Sequence, residues 1–158
     1  MYKISEYIST LFGIGLFPKA PGTAGTFFAA VLYFALPDQW SAGWQNSLLF
    51  LLVILVGSLL SIKIVYRAES RLGQDSGSIV LDEFWGYFIA VLFLPKSLII
   101  IISAFVLFRI FDIFKPEPIN LLQRLPKGWG VIADDLMAGI YSNISLQILI
   151  RVFPKTIN

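Results

Sequence analysis

The sequence predicts an all-α fold: a polytopic membrane bundle with about four to five membrane-embedded helices behind an amino-terminal helix lying in the interface. Three observations carry this expectation. Hydrophobic residues make up 57% of the 158-residue chain, and its mean hydropathy is +0.78. Only 14% of the residues are charged, where a soluble domain carries about 25%. The apolar residues also fall into runs of helical length, parted by loops rich in Gly and Pro. The length suits a single domain over 1–158.

Taken in order, residues 1–12 put Ile4, Ile8, Leu11 and Phe12 on one helical face and Lys3, Glu6 and Ser9 elsewhere, the pattern of an interfacial helix. The stretch lacks the apolar core and cleavage site of a signal peptide. Residues 13–26 read as a Gly/Pro loop leading into the apolar run 27–36. With 24–26 added, that run reaches about 13 residues against the roughly 20 of a full span, so a short, tilted or re-entrant segment fits it. A polar turn follows over 37–46, then a convincing span over 47–66 and a polar loop over 67–78 that contains Gly73 and Gly77. The runs 79–94 and 97–114 form a helical pair joined by Pro95-Lys96. A Pro/Gly-punctuated loop covers 115–130, and 131–153 is the last span.

Basic residues orient this arrangement. Lys3, Lys19, Lys63, Arg67, Arg71, Arg109, Lys115, Arg124 and Lys127 fall on one side, and Lys96, Arg151 and Lys155 on the other. The first side is therefore expected to be cytoplasmic. Trp40, Trp44, Trp85 and Trp129 sit near the expected interfaces, as an aromatic belt would.

Composition also excludes chemistry. The chain has no cysteine and no histidine, which removes thiolate nucleophiles, a histidine base, a phosphohistidine and the usual zinc ligands. A net charge of +2 without a basic block gives no reason to expect nucleic acid. Carboxylates, hydroxyls, Lys, Arg, backbone amides and a hard metal are what remain.

The carboxylates are distributed unevenly. Asp82 and Glu83 open one apolar run, Asp112 closes the next, and Asp134 and Asp135 open the last, so all of these ends meet on one side. Each intramembrane carboxylate costs about 2.5–3.5 kcal/mol on insertion scales, which calls for a cation or a paired base. Asp82 precedes Gly86 by four residues and Asp135 precedes Gly139 by four, so a small residue lies one turn below each acid and lets a neighbouring helix approach. Such groups suit Mg²⁺, which takes hard oxygen ligands. An acidic first turn answering the helix dipole is the plain alternative at Asp82 and Glu83. Arg109 lies within an apolar helix, in one stripe with Asp112 and Lys115. It fits a bidentate phosphate clamp, an internal salt bridge, or both. In the loop, Gly22, Gly25, Thr23 and Thr26 with Lys19 could form a phosphate nest ahead of a helix, or a mere turn.

The segments GIGLFPKAPGTAGT, DSGSIVLDEFWG, FRIFDIFKPEPI and GWGVIADDLMAG, in this order, resemble the phosphatidylglycerophosphatase A family over most of the chain. The resemblance implies a magnesium-dependent, multi-pass enzyme of the bacterial inner membrane, active on the cytoplasmic side. Such an enzyme removes the terminal phosphate of phosphatidylglycerophosphate to give phosphatidylglycerol. On this reading Asp82, Glu83, Asp134 and Asp135 hold Mg²⁺, and Asp112 is a further ligand or base. Arg109, Lys115, Lys19, Thr23 and Thr26 receive the phosphate. The nucleophile is an activated water or an aspartate. The family's frequent Gly pair ahead of the last motif is Lys127-Gly128 here. Phospholipid and bilayer are the expected partners, and no protein partner is implied. Two rivals are a small transporter that relays ions through its carboxylates, and a lipid phosphotransferase with a magnesium–aspartate site.

Overall fold

The computed structural model describes residues 2–74 and 76–153. Asp75 of the second motif and Lys155 lie outside them. Among the described residues all regular structure is helical. Helix α1 is Tyr2–Ser9, α2 Pro21–Ala35, α3 Trp44–Leu72, α4 Leu81–Val91, α5 Leu98–Phe114, α6 Ile119–Leu122 and α7 Trp129–Val152. Single 3-10 turns over Ile14–Leu16 and Asp38–Trp40 lead into α2 and α3.

Several boundaries differ from the sequence expectation, each for a physical reason. The loop expected over 13–26 ends early, because α2 starts at Pro21. Pro fits the first helical turn, where its missing N–H costs nothing. Glycines 22 and 25 serve packing rather than turning: a Cβ on Gly25 would stand 2.7 Å from Val80 Cβ. The span expected over 47–66 runs on to Leu72 and stops at Gly73, whose φ is 97°. The Arg, Ala and Glu residues after 66 are good helix formers, and only the glycine ends them. At about 43 Å, α3 is longer than the roughly 30 Å hydrocarbon core, and among the described residues it is the helix long and apolar enough to cross a membrane.

Helix α4 is shorter than expected, stopping at Val91. Asn143 of α7 explains where it can stop. Its amide nitrogen donates to the carbonyls of Ile89, Ala90 and Leu92 at 3.1, 3.1 and 2.7 Å, while Gln147 donates to its oxygen at 2.7 Å. The orphan carbonyls of a helix end are thereby satisfied inside the bundle. Ser97 caps α5 by accepting from the Ile100 amide. Lys96 ties this end together through the Leu36 carbonyl and an ion pair to Asp38 at 3.0 Å.

Helices α4 and α7 make the main interface of the bundle. They cross where their glycines meet. A Cβ on Gly86 would come within 2.6 Å of the Asp135 carbonyl and the Phe108 ring, and one on Gly139 would overlap the Gly86 carbonyl. Around this crossing lies a core that includes Tyr33, Ile54, Tyr87, Phe88, Ile100, Phe108 and Leu146. Trp85 departs from the expected belt. Its ring packs on Gly57 and its indole N–H donates to Ser61 Oγ at 2.8 Å, which joins α3 to α4. Trp44 and Trp129 are exposed. At the other end, α1 packs on α3 with an Arg71–Glu6 ion pair at 2.9 Å, and the Ser9 carbonyl accepts from Val80 N just ahead of α4.

Candidate active site

The first turn of α4, the early turns of α7, the last turns of α5 and the start of α2 converge at one end of the bundle. Asp82, Glu83 and Asp135 each offer a carboxylate oxygen within 4.8 Å of the others. At that separation, two ionised carboxylates repel by about 3 kcal/mol or more at an effective dielectric of about 20. All three residues are no more than 9% exposed. One oxygen on each, Asp82 Oδ1, Glu83 Oε2 and Asp135 Oδ2, is buried with no hydrogen-bond partner. Buried acceptors in this state are costly unless something supplies positive charge. Three converging hard oxygens fit a divalent cation such as Mg²⁺.

Asp112 completes the wall from α5 and lies directly against Asp135. Arg109, one turn earlier, holds Asp112 Oδ2 at 2.5 Å and reaches toward Glu83 Oε1 at 3.7 Å. Its Nε is nevertheless buried with no hydrogen-bond partner. Arg109 thus forms the internal ion pair and keeps Nε as a further donor.

Asp134 turns elsewhere. Its Oδ2 meets Lys115 Nζ at 2.5 Å and its Oδ1 accepts the Asp135 amide at 3.0 Å. Neighbouring helical residues point about 100° apart, and here Asp135 faces the carboxylate centre while Asp134 faces Lys115. Lys115 sits just past α5 at φ 42°, a left-handed conformation that aims its side chain at α7. Burial opposes its charge, but the bond to Asp134 and the fields of Asp135 and Asp112 outweigh it and hold its pKa above the ordinary lysine value.

The amino-terminal segment closes the site. A Cβ on Gly22 would overlap the Glu83 carboxylate and stand 3.1 Å from both Arg109 terminal nitrogens. Only glycine lets the start of α2 press against the centre. Thr26 is buried and donates to the Gly22 carbonyl at 2.8 Å, holding the helix turn rather than presenting a free hydroxyl. Thr23 and Lys19 line a neighbouring cavity. The structure thus gathers Asp82, Glu83, Asp135, Asp112 and Arg109, with Lys115 and Asp134 paired beside them. Gly22 was legible only as part of a phosphate nest; its contact with the carboxylates was not. The left-handed φ of 61° at Lys127 and 76° at Gly128 accounts for the glycine pair expected there.

The described residues form an all-helical bundle with a buried acid–guanidinium end, an arrangement that suits a protein acting on anionic groups such as phosphate esters. Comparison with known proteins narrows this. The pattern of the family described as phosphatidylglycerophosphatase A matches residues 7–150. A putative phosphatidylinositol-3-phosphatase of Bacteroides thetaiotaomicron is 38% identical over 148 residues, covering 89% of this chain and 90% of that protein. Phosphatidylglycerophosphatase A of Escherichia coli is 36% identical over 134 residues, 83% of this chain and 74% of that one. Its counterpart from Haemophilus influenzae is 38% identical over 136 residues, 84% and 80%. No solved structure matches the chain. The chain belongs to the phosphatidylglycerophosphatase A family, and it is a phosphatase.

Proposed function

We propose that this enzyme hydrolyses the terminal phosphate monoester of phosphatidylglycerophosphate, releasing phosphatidylglycerol and inorganic phosphate, and that it needs Mg²⁺ to do so. One observation carries the reading. The same buried site holds acceptors without donors, on Asp82, Glu83 and Asp135, and a donor without an acceptor, Nε of Arg109. A cation bound by the first set and a phosphoryl group bound by the second would satisfy both.

Asp82, Glu83 and Asp135 would hold the ion. Mg²⁺, when bound, supplies Lewis-acid neutralisation of phosphoryl charge. Arg109 donates Nε–H to a phosphoryl oxygen, while the pairing of its Nη1 with Asp112 fixes the plane of the guanidinium. Lys115 adds positive charge at the rim while Asp134 holds it in place. Asp112, beside Arg109 and Asp135, would take the proton of an attacking water. Lys19 and Thr23 receive the outer part of the head group. Several helices besides α3 are embedded in the bacterial inner membrane, with the site at its cytoplasmic face. The basic residues of the carboxylate end support that orientation.

The test is phosphate release by the purified protein in detergent from phosphatidylglycerophosphate, with chelator and with Mg²⁺ restored. Release that survives chelation rejects the metal. A phosphoenzyme trapped on an aspartate rejects the attacking water. Phosphatidylinositol 3-phosphate belongs in the same assay, because the Bacteroides relative is named for that head group. Faster turnover of it would move the assignment to the other lipid.

A further inference from the structure

Beside the charged end, α2 and α5 leave a furrow between them that the chemistry above does not use. One lobe, about 350 Å³, is walled by apolar side chains, among them Phe34 and Leu98. A second lobe of about 500 Å³ shares Phe27, Val31 and Phe105 with the first, is walled also by Ile14 and Phe17 ahead of α2, and ends at Lys19 and Thr23. The two helices run in opposite directions along it: Gly22 meets Arg109 at one end, and Phe34 and Leu98 line the lobe at the other. Phe105 lies one helical turn from Arg109, and Thr23 follows Gly22. The furrow therefore ends within about one helical turn of the site.

We propose that this furrow seats one acyl chain of the phospholipid substrate and so selects for long-chain lipid phosphates. The inference rests on the lipid-phosphatase reading and names a binding site within it. Three features choose the occupant. Polar groups occur only at the end next to the carboxylates, so the furrow matches an amphiphile with an anionic head and an apolar tail. From Thr23 to Phe34 it extends about 16 Å along α2, close to half of the roughly 30 Å hydrocarbon core, which is one leaflet. Its side chains remain open to an incoming chain: Val31 is 49% and Ile102 55% exposed. Volumes of this order are those of small-ligand sites, about 300–1,000 Å³.

The test fills the furrow without touching the charged end. Val31→Trp and Ile102→Trp each place a large ring in it, and Leu55→Trp, on the exposed face of α3 outside both lobes, is the control. The readout is kcat/KM for a long-chain against a short-chain phosphatidylglycerophosphate. Each furrow variant should lower the preference for the long chain by about tenfold, mostly through KM, whereas the control keeps it. An unchanged preference in both furrow variants overturns the proposal, and so does an equal loss on both substrates. If the unmodified protein releases no phosphate from any lipid, the phosphatase reading fails and the furrow is judged on binding. A lipid phosphate with a photoreactive chain should then label α2 and α5 in the unmodified protein and not in the furrow variants. Labelling elsewhere rejects the site.

Discussion

Two buried polar clusters stand at opposite ends of the α4–α7 contact, and they are built to opposite rules. At the far end, the Asn143 amide meets the carbonyls of Ile89, Ala90 and Leu92, and its oxygen is met by Gln147. At the near end, carboxylate oxygens of Asp82, Glu83 and Asp135 and the Nε of Arg109 are buried with no hydrogen bond. The first cluster is complete within the chain and stabilises it. The second is incomplete, and completion must come from outside. The contrast sets a polar group that completes the fold beside a cluster of unmet buried groups, which are uncommon in native proteins and gather at functional sites.

Substitutions should therefore act in opposite senses at the two ends. The largest effect is expected from Asp82→Asn or Asp135→Asn. Phosphate release should fall by about a thousandfold or more, while the melting temperature in detergent without metal stays level or rises, because a buried like charge has gone. A fall in melting temperature matching the loss of activity would merge the two clusters into one structural class. Next, Gly22→Ala pushes a methyl group into the Glu83 carboxylate and against Arg109. Turnover should drop by about a hundredfold from misplacement of roughly 1 Å, with the helical signal preserved by circular dichroism. Third, Mg²⁺ at about a hundred times its Kd should stabilise the unmodified protein by about 2.7 kcal/mol. The Asp82→Asn and Asp135→Asn proteins should show little of this in thermal melts. Equal stabilisation of all three would place the ion elsewhere.

At the other end, Asn143→Leu leaves the carbonyls ending α4 without their donor. It should cost about 2 kcal/mol in reversible unfolding, with activity per folded molecule little changed. The smallest effect belongs to Lys127→Gly, which removes a side chain held at φ 61°. Relief of the left-handed strain is offset by glycine's added freedom in the unfolded chain, so the gain should be about 1 kcal/mol or less.

Near-range relations were legible in the sequence, and long-range ones were not. Gly86 and Gly139 could be read as helix contacts because each lies one turn from an acid on the same helix, and the crossing occurs there. The convergence of Asp82, Asp112 and Asp135 followed from their common position at segment ends. The end of α4 could not be read, because the amide that satisfies it comes from Asn143, far along the chain. Nor could the division of labour between Asp134 and Asp135 be read, since adjacent letters do not reveal which one faces Lys115. The start of α2 was hidden by its glycines. Their low helix propensity was overruled by the close approach to Val80 and Glu83 that they permit.

The shortness of α4 makes it a ruler between the two clusters. Asn143 fixes its zero mark and Asp82–Glu83 its reading, with Gly86 against α7 between them. Adding one residue after Gly86 would swing the acids about 100° around the axis and lift them about 1.5 Å, out of reach of Arg109 and Asp135. Changes of side chain along this segment are graded, whereas changes of its length are all-or-none.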